Sequence, residues 1–404
     1  MAEVTSEILT YPIVRSDDLT VAPEYLALQR ERGTVRIQLD YGEPAWVATR
    51  YHDVRTVYGD RRFVKELGAG HDTPRMIPGY HGDDPSLLAH MDPPRHTRIR
   101  RLASGAFSPG QMRKLSGWVD EIADELFDEM QERGPGCDFI EIFAWNLPLR
   151  VITGILGIPE AEVPMFRGWI DQMMSSAVSA DDKAVAYTAV MEYNRALIAE
   201  RRAEPHDDLL GIMVQARDDD DRLAEDELLN LSFSLFLAGF ETTAAQIGST
   251  AYTLTSQRHL YEELVAEPAL VPAAIEELWR WIPSFRHGWP MLQWASEDVE
   301  LSDGVVIPAG DAVVPEHQVA NRDESVFPNG MQIDFRRDKP EPHLSLAWGP
   351  HRCMGAFLAQ LEIEHTLRGL LRRFPTLELA VAPDQVPWSS STFLRSPAAL
   401  PLGW

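Results

Sequence analysis

His343-Leu-Ser-Leu-Ala-Trp-Gly-Pro-His-Arg-Cys-Met-Gly355 is the stretch whose reading decides the fold. Gly349 and Pro350 make its middle turn-forming, and the residues after it, Ala356-Phe-Leu-Ala-Gln-Leu-Glu-Ile-Glu-His-Thr-Leu-Arg-Gly-Leu-Leu371, repeat apolar side chains at helical spacing. The pattern predicts that Cys353 sits at a helix start. There, unpaired amide hydrogens and the positive end of the helix dipole favour an anion, so a thiolate forms more readily than in a neutral setting. Gly349 and Gly355 let the backbone bend and approach something large and flat. Two readings are open for a cysteine so placed: an inert residue beside a turn, or a thiolate offered to a metal, haem iron being one recognised case.

Three further stretches bear on the choice: Asp92-Pro-Pro-Arg-His96-Thr-Arg-Ile-Arg100, Ala238-Gly-Phe-Glu241-Thr242-Thr243 and Glu277-Leu-Trp-Arg280. Taken with the cysteine loop, in this order and spacing over most of the chain, they resemble the motifs of the cytochrome P-450 family. The family's loop pattern, Phe-Gly-x-Gly-x-His-x-Cys-x-Gly, is met at Gly349, His351, Cys353 and Gly355, whereas Leu346 stands for the Phe and Ala347 for the first Gly.

The resemblance implies a mainly α fold with a smaller β portion, in which a long buried central helix lies over the haem. It makes Cys353 the thiolate ligand of the iron of haem b. Gly349, His351 and Gly355 become cofactor-binding positions of the loop, and His96 and Arg100, four apart on one helix face, become donors to the propionates. Thr242 would steady the bound oxygen while Glu241 relays protons. Glu277, Arg280 and Arg337 would form a buried network that supports the ligand loop.

Composition agrees with a globular chain: of 404 residues, 45% are hydrophobic and 25% charged. We read it as one domain, 1–404, with 1–20 loosely ordered. No run approaches the roughly 18 uninterrupted apolar residues of a membrane span, and the first residues lack a signal peptide's basic and apolar regions. The expectation is a cytoplasmic protein and no membrane partner. Cys137 and Cys353 are the only cysteines and make no disulfide framework; Cys137 reads as a loop residue. A net charge of −25 argues against nucleic acid. Arg95, Arg98, Arg101, Arg113 and Lys114 nevertheless cluster, with Arg352 beside the cysteine. They read equally as a solvated face or as a docking site for an acidic electron-transfer partner.

In chain order, 22–32 reads as a helix, 34–40 and 45–49 as a hairpin, and Tyr51–Gly59 as a helix. Residues 66–90 lose periodicity. Their histidines, His71, His81 and His90, match no metal-site spacing. By resemblance this loop borders the substrate pocket, which makes Met76, Ile77 and Leu88 candidate contacts, with Ala238 and Phe393 from later segments. Asp92 before two prolines reads as the cap of a helix. A helical series follows over 115–235, in which 163–178 and 181–202 correspond to the family's mobile lid; Met173 could line it or belong to the core. Glu225–Ser256 reads as one long helix, apolar enough around Leu231 and Phe240 to be buried on every side. Gln293 stands where the family commonly has an arginine for a propionate, and Arg286 or His287 are candidate substitutes. Residues 393–401 read as a last hairpin.

The implied activity is insertion of one oxygen atom into a C–H bond, or epoxidation, of a medium-sized and largely apolar natural product of secondary metabolism, such as an antibiotic precursor. The substrate could be carried on a carrier protein. The electrons would come from NAD(P)H through a separate ferredoxin and ferredoxin reductase, to a monomeric enzyme. Two alternatives stand beside this: oxidative coupling of aromatic rings by the same haem, and a non-enzymatic haem-thiolate sensor of gas or redox state.

Overall fold

The alternation of residues 34–38 and the continuous apolar run at 45–48 predict different strand environments, and the structure provides both. The protein was analysed as a computed structural model, which describes residues 8–76, 84–174, 178–206, 208–218, 223–286, 291–338, 341–389 and 393–404. Residues 8–94 contribute β1 (Leu9–Thr10), α1 (Pro23–Glu31), β2 (Thr34–Gln38), β3 (Ala45–Ala48), α2 (Tyr51–Gly59) and β4 (Phe63–Val64). Next come α3 (Arg95–Ser104), α4 (Pro109–Arg133), β5 (Cys137–Asp138), α5 (Asn146–Ile155), α6 (Val163–Met174) and α7 (Ala180–Ala203). The series continues with α8 (Leu209–Asp218), α9 (Glu225–Ser256), α10 (Arg258–Ala266) and α11 (Val271–Trp281). Strands β6 (Gln293–Ala295), β7 (Val299–Glu300), β8 (Val306–Ile307) and β9 (Ala312–Pro315) follow, then α12 (His317–Ala320), α13 (Ala356–Arg373), β10 (Glu378–Leu379) and β11 (Pro401–Gly403). The fold is mainly α with a smaller β portion. The chain visits each of two compact units twice: Met1–Pro94 with Glu276–Cys353, and Arg95–Ile275 with Met354–Trp404.

The first unit is built on a six-stranded sheet in the order β1-β2-β3-β9-β6-β4. β3 lies inside it, antiparallel to β2 and parallel to β9. Both faces of β3 are covered, which is why its sequence does not alternate. Ala45 and Val47 pack with Val35, Ile37, Val314 and Trp294 on one face. Trp46 and Ala48 pack with Tyr51, Val54, Val57 and Tyr58 of α2 on the other, together with Phe63, Ala295, Val313, Leu344 and Ala347.

Two expectations are corrected here. Residues 1–20 were expected to be loosely ordered; 1–7 lie outside the described residues, but in 8–20 β1 pairs in parallel with β2 and Tyr11 is fully buried, its hydroxyl donating to the Glu316 carboxylate; a strand of two residues is too short to announce itself by alternation. Asp92 does not cap α3. Its carboxylate accepts instead from the Lys65 and Glu66 amides at 2.9–3.0 Å, while α3 starts at Arg95.

The second unit is organised on α9, whose ends coincide with those read from the sequence. It is long and apolar enough to cross a membrane, but 67% of its most apolar window is buried within the protein, as a core helix requires. Gly239 permits the close approach of α5: a Cβ there would lie 2.8 Å from the Ile152 Cδ1. Burial on every side is not what the structure gives, because Ala238 is exposed and Thr242 only half-buried. α4 packs along α13, and β10, β11 and β5 form a three-stranded antiparallel sheet. Cys137 is thus a half-buried strand residue rather than a loop residue, and burial raises its thiol pKa. α6 and α7 occupy the two stretches expected to form the lid, and Met173 is half-buried on α6. The expected last hairpin appears as a single antiparallel bridge between Trp388 and Pro397.

Candidate functional site

In the first unit the cysteine loop is closed on itself. The Cys353 amide donates to the Leu346 carbonyl at 2.8 Å and the Ala347 amide to the Leu344 carbonyl at 3.0 Å, while the Cys353 side chain is exposed and outside any disulfide. α13 starts three residues on, at Ala356, so Cys353 precedes the helix rather than beginning it. Gly349 has φ +68°, and a Cβ there would meet the Tyr58 carbonyl oxygen at 2.7 Å, so only glycine seats the loop against α2. Ala347 has φ +57° with a Cβ present, a conformation that costs an L-residue roughly 1–2 kcal/mol. The departure noted in the sequence therefore lies at a backbone position that favours glycine. Leu346 is half-buried, as is His351, which lies in the turn of Gly349–His351.

Beneath the loop lies the expected network. The Glu277 carboxylate, fully buried, accepts from Arg280 Nε and Nη2 at 2.9 and 2.7 Å, from Arg337 Nε at 2.9 Å and from the Asp334 amide at 3.1 Å. Burial alone would raise its pKa; these hydrogen bonds outweigh burial and hold it below the ordinary value. Arg280 Nη1 donates to the carbonyls of Asn321 and Gly330 at 2.8 and 2.7 Å. Asn321 carries the connection to the ligand loop. Its Oδ1 accepts from the Leu344 amide at 2.7 Å and its Nδ2 donates to Ser345 Oγ at 2.8 Å, while Ser345 Oγ donates to the Trp279 carbonyl at 2.6 Å. Sequence reasoning missed Asn321, because the partners that give it a role are more than 20 residues away. Of the substitutes considered for position 293, Arg286 is paired with Asp17 and His287 lies outside the described residues. Met76 packs against the core cluster around Trp294, Leu88 is half-buried in a short 3-10 turn, and Ile77 lies outside the described residues.

In the second unit α3 buries His96 to 1% exposure and leaves Arg100 half-buried. Burial, reinforced by the Arg100 charge, pushes the imidazole pKa down to about 4, so His96 is neutral at pH 7. The neighbouring arginines are not a free basic face. Arg95 and Arg98 donate to Glu227 at 3.2 and 2.7 Å, and Glu227 also accepts from the Ala224 amide at the start of α9 at 3.0 Å. Arg101, Arg113 and Lys114 remain exposed.

Further along α9, Thr242 Oγ1 donates to the Ala238 carbonyl at 2.8 Å, one turn back. Ala238 is exposed and Thr242 half-buried, so one side of this turn is open, while Glu241 beside it is buried. A hydroxyl at an opening, flanked by a carboxyl in a dry setting, is suited to handling protons. Phe393 is half-buried in the segment before β11. Among the described residues, no group of three or more His, Cys, Asp or Glu side chains forms a metal site.

Comparison with known proteins agrees with these features. A family model described as Cytochrome P-450 matches residues 161–399. The mycinamicin IV hydroxylase/epoxidase of Micromonospora griseorubida is 40% identical over 99% of this chain and 100% of its own. Among solved structures, a cytochrome P-450 hydroxylase from the leinamycin biosynthetic pathway of Streptomyces atroolivaceus superposes with a TM-score of 0.91 at 38% identity, covering 98% of this chain and all of that one. A cytochrome P-450 with biaryl coupling reactivity superposes with a TM-score of 0.93, also at 38% identity and with the same coverage.

Proposed function

The chain belongs to the cytochrome P-450 family, and on that premise we propose that it is a haem-thiolate monooxygenase that hydroxylates or epoxidises a medium-sized, largely apolar natural product. The observation that carries this reading is the opened turn of α9, where the Thr242 hydroxyl is bonded to the Ala238 carbonyl beside the buried Glu241.

The residues fit the cofactor. An exposed sulfur on a self-closed loop offers a soft anionic ligand for iron, and a neutral imidazole and a guanidinium on α3 offer donors for carboxylates. Cys353 would hold the iron and His96 and Arg100 the propionates, while Gly349, His351 and Gly355 would be the loop's positions against the cofactor. Haem, when bound, supplies the activation of dioxygen with two electrons. Thr242 orients a proton donor at its Oγ1, and Glu241 feeds protons toward that hydroxyl from the protein interior. Glu277, Arg280 and Arg337, through Asn321, keep Leu344 and Ser345 in register, so that the sulfur stays in one position.

The whole chain is read as a single catalytic domain, supported by relatives that match it end to end. The electrons come from NAD(P)H by way of a ferredoxin and its reductase, with the exposed Arg101, Arg113 and Lys114 as the steering charges. We place the enzyme in the cytoplasm as a monomer, and its substrate is free or bound to a carrier protein.

The test is product mass after a substrate screen by haem spin-state shift. Gain of one oxygen atom supports the reading. Thr242→Ala should lower product yield on the order of 10²-fold, whereas unchanged function in that variant would favour a haem sensor that needs no proton relay. The likeness to a cytochrome P-450 with biaryl coupling reactivity favours a second reading, ring coupling, in which the product loses two hydrogens and gains no oxygen.

A further inference from the structure

The Ser116 hydroxyl departs from the habit of helical serines. Ser104 and Ser234 donate to the carbonyl one turn back, at 2.7 Å in each case. Ser116 Oγ, on α4, lies instead 3.0 Å from Nε2 of His365 on α13, and Nδ1 of the same ring is 2.9 Å from Asp120 Oδ1. Ser116 and Asp120 are four apart and so share a face of α4. All three side chains belong to the second unit. As a carboxylate, Asp120 can only accept, so Nδ1 carries the proton of the neutral imidazole. Nε2 then turns its lone pair to the hydroxyl, and Ser116 Oγ donates to it. A nucleophile, a base and an acid that orients the base stand in hydrogen-bond reach, an arrangement recognised by geometry and not by sequence position.

Other contacts already hold α4 and α13 in register. A Cβ on Gly369 would lie 2.0 Å from Phe127 Cε2, so the helices meet closely where only glycine fits. Asp124 accepts from Arg372 at 2.8 Å and pairs with Arg373 at 3.1 Å. The three groups are within reach of a small reactant: Ser116 is half-buried, the His365 side chain is 15% exposed and that of Asp120 48%. A Cβ on Gly117, the next residue, would have nothing within 4 Å, which leaves room beside the hydroxyl. Arg113 is exposed and one turn earlier on the same face, on the side toward which helical side chains lean. It brings a cation to the place where negative charge would develop on a carbonyl oxygen.

We propose that Ser116, His365 and Asp120 form a second catalytic site, one that transfers acyl groups from activated carboxylic esters through a covalent Ser116 intermediate. Ser116 Oγ bonds to the ester carbonyl carbon and gives its proton to His365 Nε2. The bond from that carbon to the leaving oxygen breaks, and the departing group takes the proton from His365. Water, activated by the same imidazole, then releases the acid and restores the hydroxyl. Asp120 positions the ring and fixes its tautomer. The site uses no group from the haem reading and stands or falls apart from it.

The experiment treats the purified full-length protein with a fluorescent fluorophosphonate, locates the adduct by peptide mass spectrometry, and follows nitrophenol release from p-nitrophenyl acetate. Wild type, Ser116→Ala, His365→Gln and Asp120→Asn are compared, with thermal melts to confirm folding. The adduct should fall on Ser116, and Ser116→Ala should lose both the adduct and the ester turnover. His365→Gln should slow both on the order of 10²-fold, the scale of a general base. Asp120→Asn should do the same with its shape unchanged, because an amide donating to Nδ1 moves the ring proton to Nε2. It decides the matter if His365→Gln fails to fold. An unlabelled Ser116 in wild type overturns the proposal, as does ester turnover unchanged in Ser116→Ala. Labelling at the wild-type rate in Asp120→Asn also overturns it, since that result leaves the three residues as a contact between helices.

Discussion

Glu277 and Glu362 are both carboxylates withdrawn from water, at 0% and 1% exposure, yet they stand in opposite states. Glu277 receives four hydrogen bonds, three of them from guanidinium groups, and remains ionised. Glu362, in the middle of α13, has no hydrogen-bond partner for either oxygen among the described residues, and burial pushes its pKa well above the usual carboxylate range. Depth alone does not decide the charge of a buried acid; the donors aimed at it do. In the first unit the fold uses a buried charge as a clamp for the segment leading into the ligand loop. In the second it tolerates a neutral acid.

The largest effect expected from this contrast is at the clamp. Arg280→Met leaves Glu277 short of two donors and should cost about 3–5 kcal/mol in chemical denaturation; a loss below about 1 kcal/mol would break the contrast. Glu362 should behave in the opposite sense. Its folded-state pKa is raised, so the stability it contributes is fully present below the unfolded value and is lost as pH rises through the folded one. Glu362→Gln should therefore be more stable than wild type by on the order of 1–3 kcal/mol in mildly alkaline buffer, with the gap closing toward pH 4. A gap that widened toward acid would contradict the assignment.

An intermediate case sharpens the comparison. Burial pushes the Glu227 pKa up, but the bonds from Arg98, the Ala224 amide and Arg95 overcome it and hold the carboxyl at about 2. The depressed value means stability present above the unfolded pKa and lost as pH falls from about 4.5 to about 2. Glu227→Gln should cost about 1 kcal/mol at pH 7, a discounted figure because both arginines are exposed to solvent, and nothing at pH 2; thermal melts across that range would show it. The smallest effect concerns backbone rather than charge. Ala347→Gly relieves the left-handed strain at φ +57° but loosens the unfolded chain, for a net gain of roughly 0.5 kcal/mol by denaturant titration.

What could be read from the sequence divides along physical lines. The bounds of α9 and the pairing of Glu277 with Arg280 are local, set by residues a few positions apart, and each was legible. The positions that misled depend on distant partners. Asp92 has the sequence of a helix cap but serves the amides of Lys65 and Glu66, and Cys137 becomes a strand residue because β11 returns to pair with it. The basic cluster looked open because Glu227, more than 100 residues on, is invisible to local inspection. Glu362 gave no signal, since a glutamate in a helix is ordinarily exposed.

The central claim is that Cys353 delivers a thiolate to haem iron from a loop the network holds in place. The most direct measurement is the absorption spectrum of the reduced protein under carbon monoxide, wild type beside Cys353→Ser. The account predicts the strongly red-shifted Soret band of a thiolate–haem–carbonyl complex in wild type and its absence in the variant. A wild-type band at the shorter wavelength typical of histidine or neutral-thiol ligation would contradict it.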